Sequence, residues 1–343
     1  MSITMKDIAR ELGVSVATVS RALKGSAEIS AERTQQIVDY ARRHHFLPNA
    51  VAQQLRQSRS TPSHIVGVIM PELAHYYFST ILKGIEEECT QHGYAVMVAA
   101  SGEDYQREVE ACRRFREHQV CGIIVSQAKN STNFDHFLQL QQDGVPLVFY
   151  DRICTAIDTA RVVVDDYRGA FHAVQHLAAT GCQRIAFYGS QMNLEIAKNR
   201  FMGYKDALIE AGLPYDRQLV QLCDNRDMAE QTTPHMMQLP QPPDAFFCIN
   251  DDTAIGTLYT CKRLGFRVPD DVSICGFTNG ERAIACDPML TTVEQRGKEV
   301  GRQAADLLIS QTEGSLPTSA KERRIVKTRL IIRGTTRPLP QQP

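Results

Sequence analysis

From residue 64 onward the chain alternates short, uniformly apolar runs with longer amphipathic stretches, and no other feature restricts the fold so tightly. The runs are IVGVIM (65–70), YAVMVAA (94–100), CGIIVS (121–126), PLVFYD (146–151), RVVVDD (161–166), RIAFYG (184–189), DAFFCIN (244–250) and VSICGF (272–277). They are rich in Val and Ile and too apolar throughout for a strand with one wet face, so they predict central parallel strands covered on both sides. Between them, STILKGIEEECTQHG, YQREVEACRRFREH, RGAFHAVQHLAATG, RFMGYKDALIEAG and DTAIGTLYTCKRLG read as helices, most ending at a glycine suited to a C-cap. Strand and helix in regular alternation define a doubly wound α/β architecture. The 343 residues, 43% of them hydrophobic and none Trp, leave room for two or three ordinary domains.

The strands fall into groups before and after residue 160, each the size of one Rossmann-like unit, which predicts two lobes with a cleft between them. Ligands in such sheets bind beyond the carboxyl ends of the strands. The polar residues there are Asp151, Asp165, Asn250, Asp251, Thr278 and Asn279. Each taken singly is explained as well by a helix cap or a turn; their recurrence on both sides of the division is what points to a cleft.

Residues 1 to 60 differ in kind. They carry nine Lys and Arg against five Asp and Glu, leaving 29 against 34 for the rest, so a small basic module precedes a mildly acidic body. MKDIAREL puts Ile8 and Leu12 on one helical face, Gly13 and Val14 interrupt it, and Ser15 can cap a second helix, SVATVSRAL. A third helix opens at Ser30 and runs through AERTQQIVDYARRHHF. Packed around Ile8, Leu12, Val14, Val19, Leu23 and Ile37, the three predict a helix-turn-helix domain. The second helix then enters a DNA major groove, with Arg21 donating two hydrogen bonds to a guanine, Thr18 and Ser20 touching phosphates, and Val16 and Ala17 offering apolar contact to a thymine methyl. A lone arginine would be read as solvated surface; the frame around Arg21 reverses that.

Next, PNAVAQQLRQ is a single short helix, too poor in apolar surface to fold alone, with Asn49 able to cap it and Ala52 and Leu55 on one side. Two copies could meet there and drive their leucines between base pairs from the minor groove. A plain linker helix explains the spacing equally well. The domains expected are thus 1–47 for DNA, 48–62 for hinge and linker, and 63–337 for the body, with lobes at about 63–160 and 161–290 and crossover and C-terminal elements at 291–337.

Other chemistries lack their signatures. GxGxxG, Walker A, GxSxG and HExxH are all missing, which argues against an enzyme, a catalytic site or a bound cofactor. His172 and His176 stand at i, i+4 on a helix without a third ligand, so no metal is expected, and the His44–His45 pair diverges. The ten cysteines are scattered with no CxxC, which predicts reduced core thiols. No apolar run is long enough for a bilayer and the charged opening is unlike an export signal, so the expected location is cytoplasmic, associated with the nucleoid, with no membrane partner.

Six segments, in order, carry a specific likeness: MKDIARELGVSVATVSRAL, PNAVAQQL, IVGVIMPELAHYYFSTILKGIEEE, CINDDTAIG, VSICGFTNG and PMLTTVEQ. On them the chain resembles the lactose/galactose repressor (LacI/GalR) family from residue 5 to about 335. The resemblance implies a homodimeric transcriptional repressor on a pseudo-palindromic double-stranded operator. It also implies a body like a periplasmic sugar-binding protein, closing on a small molecule such as a sugar or sugar derivative. By motif position Val16, Ala17 and Arg21 read bases, Thr18 and Ser20 the backbone, and Asn49, Ala52 and Leu55 belong to the hinge. Phe78, Asp151, Arg200, Asn250, Thr278 and Gln295 take the effector. Where many members carry Asp after the late GF, this chain has Thr278, with Asn279 beside it as a substitute donor. A solute-binding protein with no transcriptional role accounts for the body alone and leaves residues 1 to 60 unexplained; a cytoplasmic α/β enzyme with a fused regulatory domain lacks a catalytic constellation.

Overall fold

The computed structural model describes residues 3–23, 25–44, 46 and 63–340, and the chain divides into two compact units, Met1–Pro62 and Ser63–Pro343. The first unit is three helices. At the start of α1 (Met5–Glu11) the Thr4 hydroxyl accepts from the Asp7 N–H and the Asp7 carboxylate accepts from the Thr4 N–H, satisfying two otherwise free donors. Gly13, at φ 61°, makes the left-handed turn that ends this helix. Ser15 Oγ then accepts from Thr18 N at 3.0 Å to start α2 (Val16–Leu23), and Ser30 accepts from Arg33 N at 3.4 Å to start α3 (Ala31–Arg43). The third helix therefore stops short of residue 46, to which the sequence pattern extended it.

Ile8, Ala9, Val19, Ala22, Ile37 and Ala41 form the buried centre of this unit, with Leu12, Val14 and Leu23 leaning on it. Val16 also leans on that core and is only half exposed, whereas the helical spacing placed it on the open face. The reason is its position at the first turn, where the side chain lies back over the preceding segment.

The body holds two six-stranded sheets. The first contains β1 (Ile65–Met70), β2 (Ala95–Ala100), β3 (Gly122–Val125), β4 (Leu147–Tyr150), β5 (Ala160–Val164) and β11 (Arg323–Val326), side by side in the order β11-β5-β4-β3-β1-β2 and parallel throughout. The second contains β6 (Ile185–Gly189), β7 (Val220–Leu222), β8 (Ala245–Cys248), β9 (Ser273–Thr278), β10 (Thr291–Glu294) and β12 (Arg329–Ile331) in the order β12-β10-β9-β8-β6-β7, with only the edge strand β12 antiparallel. Helices α4 (Tyr76–Gln91), α5 (Tyr105–Glu117), α6 (Asp135–Gln142) and α12 (Gly297–Thr312) cover the first sheet. Helices α7 (Asp166–Ala179), α8 (Glu195–Glu210), α9 (Arg226–Met237), α10 (Asp251–Arg263) and α11 (Glu281–Ala285) belong to the second.

Both faces of the central strands are dry, as uniformly apolar strands require; the exception is β2, which lies at the sheet edge with no residue fully buried and Val98 38% exposed, so its apolar run does not mark a central strand. In β1, Val66, Val68 and Met70 face a core with Ile81, Ile85, Val300 and Leu308, while Ile69 faces Phe115, Phe137 and Leu140 on the other side. In β8, Phe246 and Cys248 enter one core of the second lobe and Ala245 and Phe247 the other. Each such Val, Ile or Phe contributes about 1.5–3 kcal/mol of burial. Helices α4 and α12 touch backbone to backbone: a Cβ on Gly301 would strike the Ile81 carbonyl, and one on Gly84 the Lys298 carbonyl.

Two expectations need correction. Strand β5 was assigned to the second lobe but pairs with β4 and β11 in the first sheet, because the crossing follows the strand instead of preceding it. The chain then crosses three times, at Asp165, at Gln295–Arg296 and at Lys327–Thr328, so α12 and β11 return to the first lobe while β10 and β12 stay in the second. Strands β7, β10, β11 and β12 are absent from the sequence pattern; they are only three or four residues long, and polar and apolar residues are mixed in each.

Candidate functional site

On the first unit, α2 exposes Ala17 and Arg21 to solvent, with Thr18 and Ser20 half-buried. The Thr18 hydroxyl lies 2.8 Å from Ser15 Oγ, so it is fixed by the helix cap. Arg21 Nε lies 3.2 Å from a carboxylate oxygen of Glu28, in the turn before α3. Asn49, Ala52 and Leu55 lie outside the described residues.

In the body, the carboxyl ends of both sheets face a cavity of about 290 Å³, and Phe78, Asp151, Arg200, Asn250, Thr278 and Gln295 all line it. Asp151 follows β4 at φ 56°, a left-handed position that turns its side chain into the cavity wall. It is buried, its Oδ1 has no hydrogen-bond partner, and burial holds its carboxyl above the ordinary range despite nearby Arg152 and Arg200. Asn250 caps α10 through Thr253 N at 2.8 Å and donates from Nδ2 to the Asp224 carbonyl at 2.7 Å. Thr278, at the end of β9, donates to Gln295 Oε1 at 3.1 Å.

Arg200 differs from expectation. Its guanidinium is satisfied inside the protein: Nε and Nη2 meet Asp166 Oδ1 at 2.8 and 2.7 Å, Nη1 donates to the Ile249 carbonyl, and the plane lies 3.7 Å from the centroid of the Phe277 ring. Burial pushes the Asp166 carboxyl up to about 6 even beside this arginine. Arg200 is therefore a post under the floor, with its fork already filled. Phe78 is likewise only 4% exposed, and the Arg152 guanidinium lies 5.7 Å over its ring.

The remaining strand-end candidates serve structure. Asp165 caps α7 through Arg168 N at 3.1 Å. Asp251 accepts from Gly280 N at 2.8 Å and from the Thr292 hydroxyl, clamping the turn after β9. Asn279 is held between Glu294 at 3.3 Å and Arg333 at 2.7 Å and does not line the cavity, so it does not substitute for the short Thr278 hydroxyl. His176 Nε2 pairs with the Thr336 hydroxyl at 2.9 Å, and among the described residues no group of three or more His, Cys, Asp or Glu is placed to hold a metal. All ten cysteines are free thiols.

Sequence reasoning missed a polar chain across the cleft. Arg152 Nη1 donates to both Glu103 oxygens at 2.5 and 2.6 Å, Glu103 accepts from Lys129 N at 2.8 Å, and Lys129 Nζ reaches Asp224 Oδ2 at 3.0 Å. The Ser190 hydroxyl donates to the same Asp224 oxygen at 2.6 Å. Glu103, Lys129, Arg152, Ser190 and Asp224 all follow strand carboxyl ends, so extending the strand-end rule to every strand would have found four of them; Asp224 follows β7, which had no apolar signal. His75 and Tyr77, at the start of α4, also line the cavity, and the buried Tyr77 hydroxyl has no partner.

A helix-turn-helix unit together with a two-lobed body whose strand ends enclose a polar cavity defines a DNA-binding regulator with a ligand-binding body. Comparison with known proteins agrees. Residues 4–49 match the family model of bacterial regulatory proteins of the lacI family, and residues 63–332 that of periplasmic binding proteins and the sugar-binding domain of the LacI family. The chain is 32% identical over 338 residues to the HTH-type transcriptional repressor CytR of Escherichia coli K12, covering 98% of this chain and 97% of that one. It is 31% identical over 310 residues to catabolite control protein A of Priestia megaterium, covering 90% and 92%. Among solved structures, the Lac repressor dimer bound to operator and the anti-inducer ONPF matches with a TM-score of 0.85 at 25% identity, over 98% of this chain and 99% of that one. The chain belongs to the LacI family of transcriptional regulators. Among the described residues no helix is long and apolar enough to cross a membrane.

Proposed function

We propose that the protein is a cytoplasmic, homodimeric repressor, not an enzyme, whose affinity for a pseudo-palindromic operator is set by a small molecule bound between the lobes. The observation that carries this reading is the convergence of Phe78, Asp151, Arg200, Asn250, Thr278 and Gln295, from six separate places in the chain, on one cavity. In this reading residues 1–47 bind DNA, with Ala17 and Arg21 at base edges, part of Val16 beside them, and Thr18 and Ser20 toward phosphates. Residues 48–62, with Asn49, Ala52 and Leu55, form the hinge, and 63–337 the effector body. A ligand that prefers one lobe arrangement shifts operator affinity by a coupling of about 1–3 kcal/mol. The Lac repressor, solved bound to operator and to the anti-inducer ONPF, combines the same two units.

The test is selection of bound duplexes from a random DNA pool by the purified protein, followed by titration of the recovered operator against sugars and nucleosides. A palindrome whose affinity one compound shifts supports the reading. A compound bound by the body with no sequence enriched from the pool returns the protein to the class of solute-binding proteins without a transcriptional role.

A further inference from the structure

Glu108 stands where an apolar residue is expected. It lies on the inner face of α5 with Ala111, Cys112 and Phe115, and it is 0% exposed. A carboxyl group taken out of water costs free energy unless hydrogen bonds replace its hydration, so its role is read from where those bonds go. All of them go to one stretch of chain, the loop between β3 and α6 and the first turn of α6. Glu108 Oε2 accepts from the Ala128 N–H at 2.6 Å, and Oε1 accepts from the Ser131 hydroxyl at 2.6 Å and from His136 Nε2 at 3.0 Å. The Nδ1 of His136 is buried with no partner, so among the described residues Glu108 is the polar group that orients this ring.

The other side of the same loop faces the cleft. The Lys129 N–H donates to Glu103, its Nζ donates to Asp224 Oδ2 in the second lobe, and its carbonyl accepts from Asn193, also in the second lobe. Lys129 adjoins Ala128 and lies two residues before Ser131, and both of these are bonded to Glu108. With the backbone fixed on either side of it, Lys129 has only its side chain left to order when Nζ meets Asp224. Glu108 does not line the cavity. An apolar residue in its place would fill the core equally well and would leave the Ala128 N–H without an acceptor.

We propose that Glu108 is a positioning residue for lobe closure, acting through Lys129: from inside the first lobe it sets the loop that carries the lysine to Asp224. This deepens the effector reading above, in which the lobes close on a ligand.

Hydrogen–deuterium exchange on the full chain, with neither ligand nor operator present, tests it. Glu108→Gln keeps the size and one accepting oxygen but turns an amide NH2 toward a loop donor. Exchange should rise about threefold or more at 126–136 and also across the cleft at 223–226, the segment that holds Asp224. Lys129→Met should raise exchange at 223–226 as well, and the double variant should exchange there no faster than Lys129→Met, because both changes remove one tie. A rise confined to 126–136 makes Glu108 a local support and overturns the proposal, as does a double variant in which the two effects multiply. Should Glu108→Gln fail to fold, Ser131→Ala removes one of the three donors and leaves the core intact; a smaller rise on both sides of the cleft supports the proposal, and a rise in the loop alone overturns it. Because no ligand takes part, a chain that binds no small molecule would remove the effector reading and leave this result standing.

Discussion

Lys129 and Asp224 tie the two lobes together, Nζ to Oδ2 at 3.0 Å, from loops that follow β3 in one sheet and β7 in the other. Both are largely shielded, with side chains 27% and 13% exposed, so the pair is screened less than a surface bridge. Asn193 adds a second crossing by donating to the Lys129 carbonyl at 3.2 Å. Burial would raise the Asp224 carboxyl, but the Ser190 hydroxyl and Lys129 outweigh it and hold it below the ordinary range. Closure of the lobes is thus partly written into the chain. Lys129→Met should weaken ligand binding about three- to tenfold while leaving the unfolding midpoint of the unliganded body close to wild type, roughly 1 kcal/mol of closure energy. Calorimetry with small-angle scattering checks it; unchanged affinity and radius of gyration would remove the tie from the mechanism.

A different outcome is expected at Arg200. Removing it leaves Asp166, itself almost fully buried, without a cation, and breaking a buried pair of this kind costs about 3–5 kcal/mol. Arg200→Ala should therefore lower the stability of the second lobe in urea unfolding, with loss of ligand response as a consequence. If the variant is as stable as wild type and only ligand binding is lost, Arg200 contacts the ligand directly and the internal bonds seen here rearrange on binding.

Much of this was legible in the sequence, and the exceptions have physical causes. The eight apolar runs all became strands, seven of them because a strand dry on both faces must be apolar at every position, which is a signal that needs no tertiary information; β2 is equally apolar yet lies at an exposed edge, a difference the run itself does not encode. The four short strands escaped because three or four residues at an edge or beside a crossing carry no periodicity. Motif position brought six residues to one cavity, yet it did not reveal that Arg200 is spent on Asp166 or that Asn279 turns away toward Arg333. Those facts depend on partners 34 and 54 residues distant, and no local pattern encodes them. Val16 misled for a local reason, its first-turn position over the preceding segment.

Asp166 and Asp251 predict a specific pH dependence. Burial raises each carboxyl to about 6 from an ordinary value near 3.8, although Thr292 and Gly280 donate to Asp251 and Arg200 to Asp166. A raised carboxyl means the folded state holds its proton more tightly than the unfolded state, so stability falls as pH climbs from about 4 to 6 and is level above. Asp251→Asn cannot titrate. The difference in unfolding free energy between wild type and Asp251→Asn should therefore shrink by about 2 kcal/mol between pH 4.5 and pH 7, measured by urea denaturation. A difference that is constant with pH would show that Asp251 stays ionised throughout, held by its two donors.

On the DNA-binding unit, the residue proposed to read bases is restrained by an acid of its own chain, since Arg21 Nε lies 3.2 Å from the Glu28 carboxylate. Both side chains are more than half exposed, so the pair adds little to folding; its effect falls on binding. A guanidinium held by Glu28 is withheld from phosphates it meets at random, and the carboxylate itself repels the backbone, so non-specific affinity is lowered. At a guanine, two parallel bonds to O6 and N7 replace the exposed pair. Arg21→Ala should lose about 1–3 kcal/mol of specific binding and relax one base preference. Glu28→Gln should act in the opposite sense, raising affinity for unrelated duplexes about two- to fivefold at low salt and less at high salt, with little gain on the operator. Competition binding at two salt concentrations measures both. Equal gains on operator and unrelated DNA would mean that Glu28 acts only as a repelling charge and does not restrain Arg21.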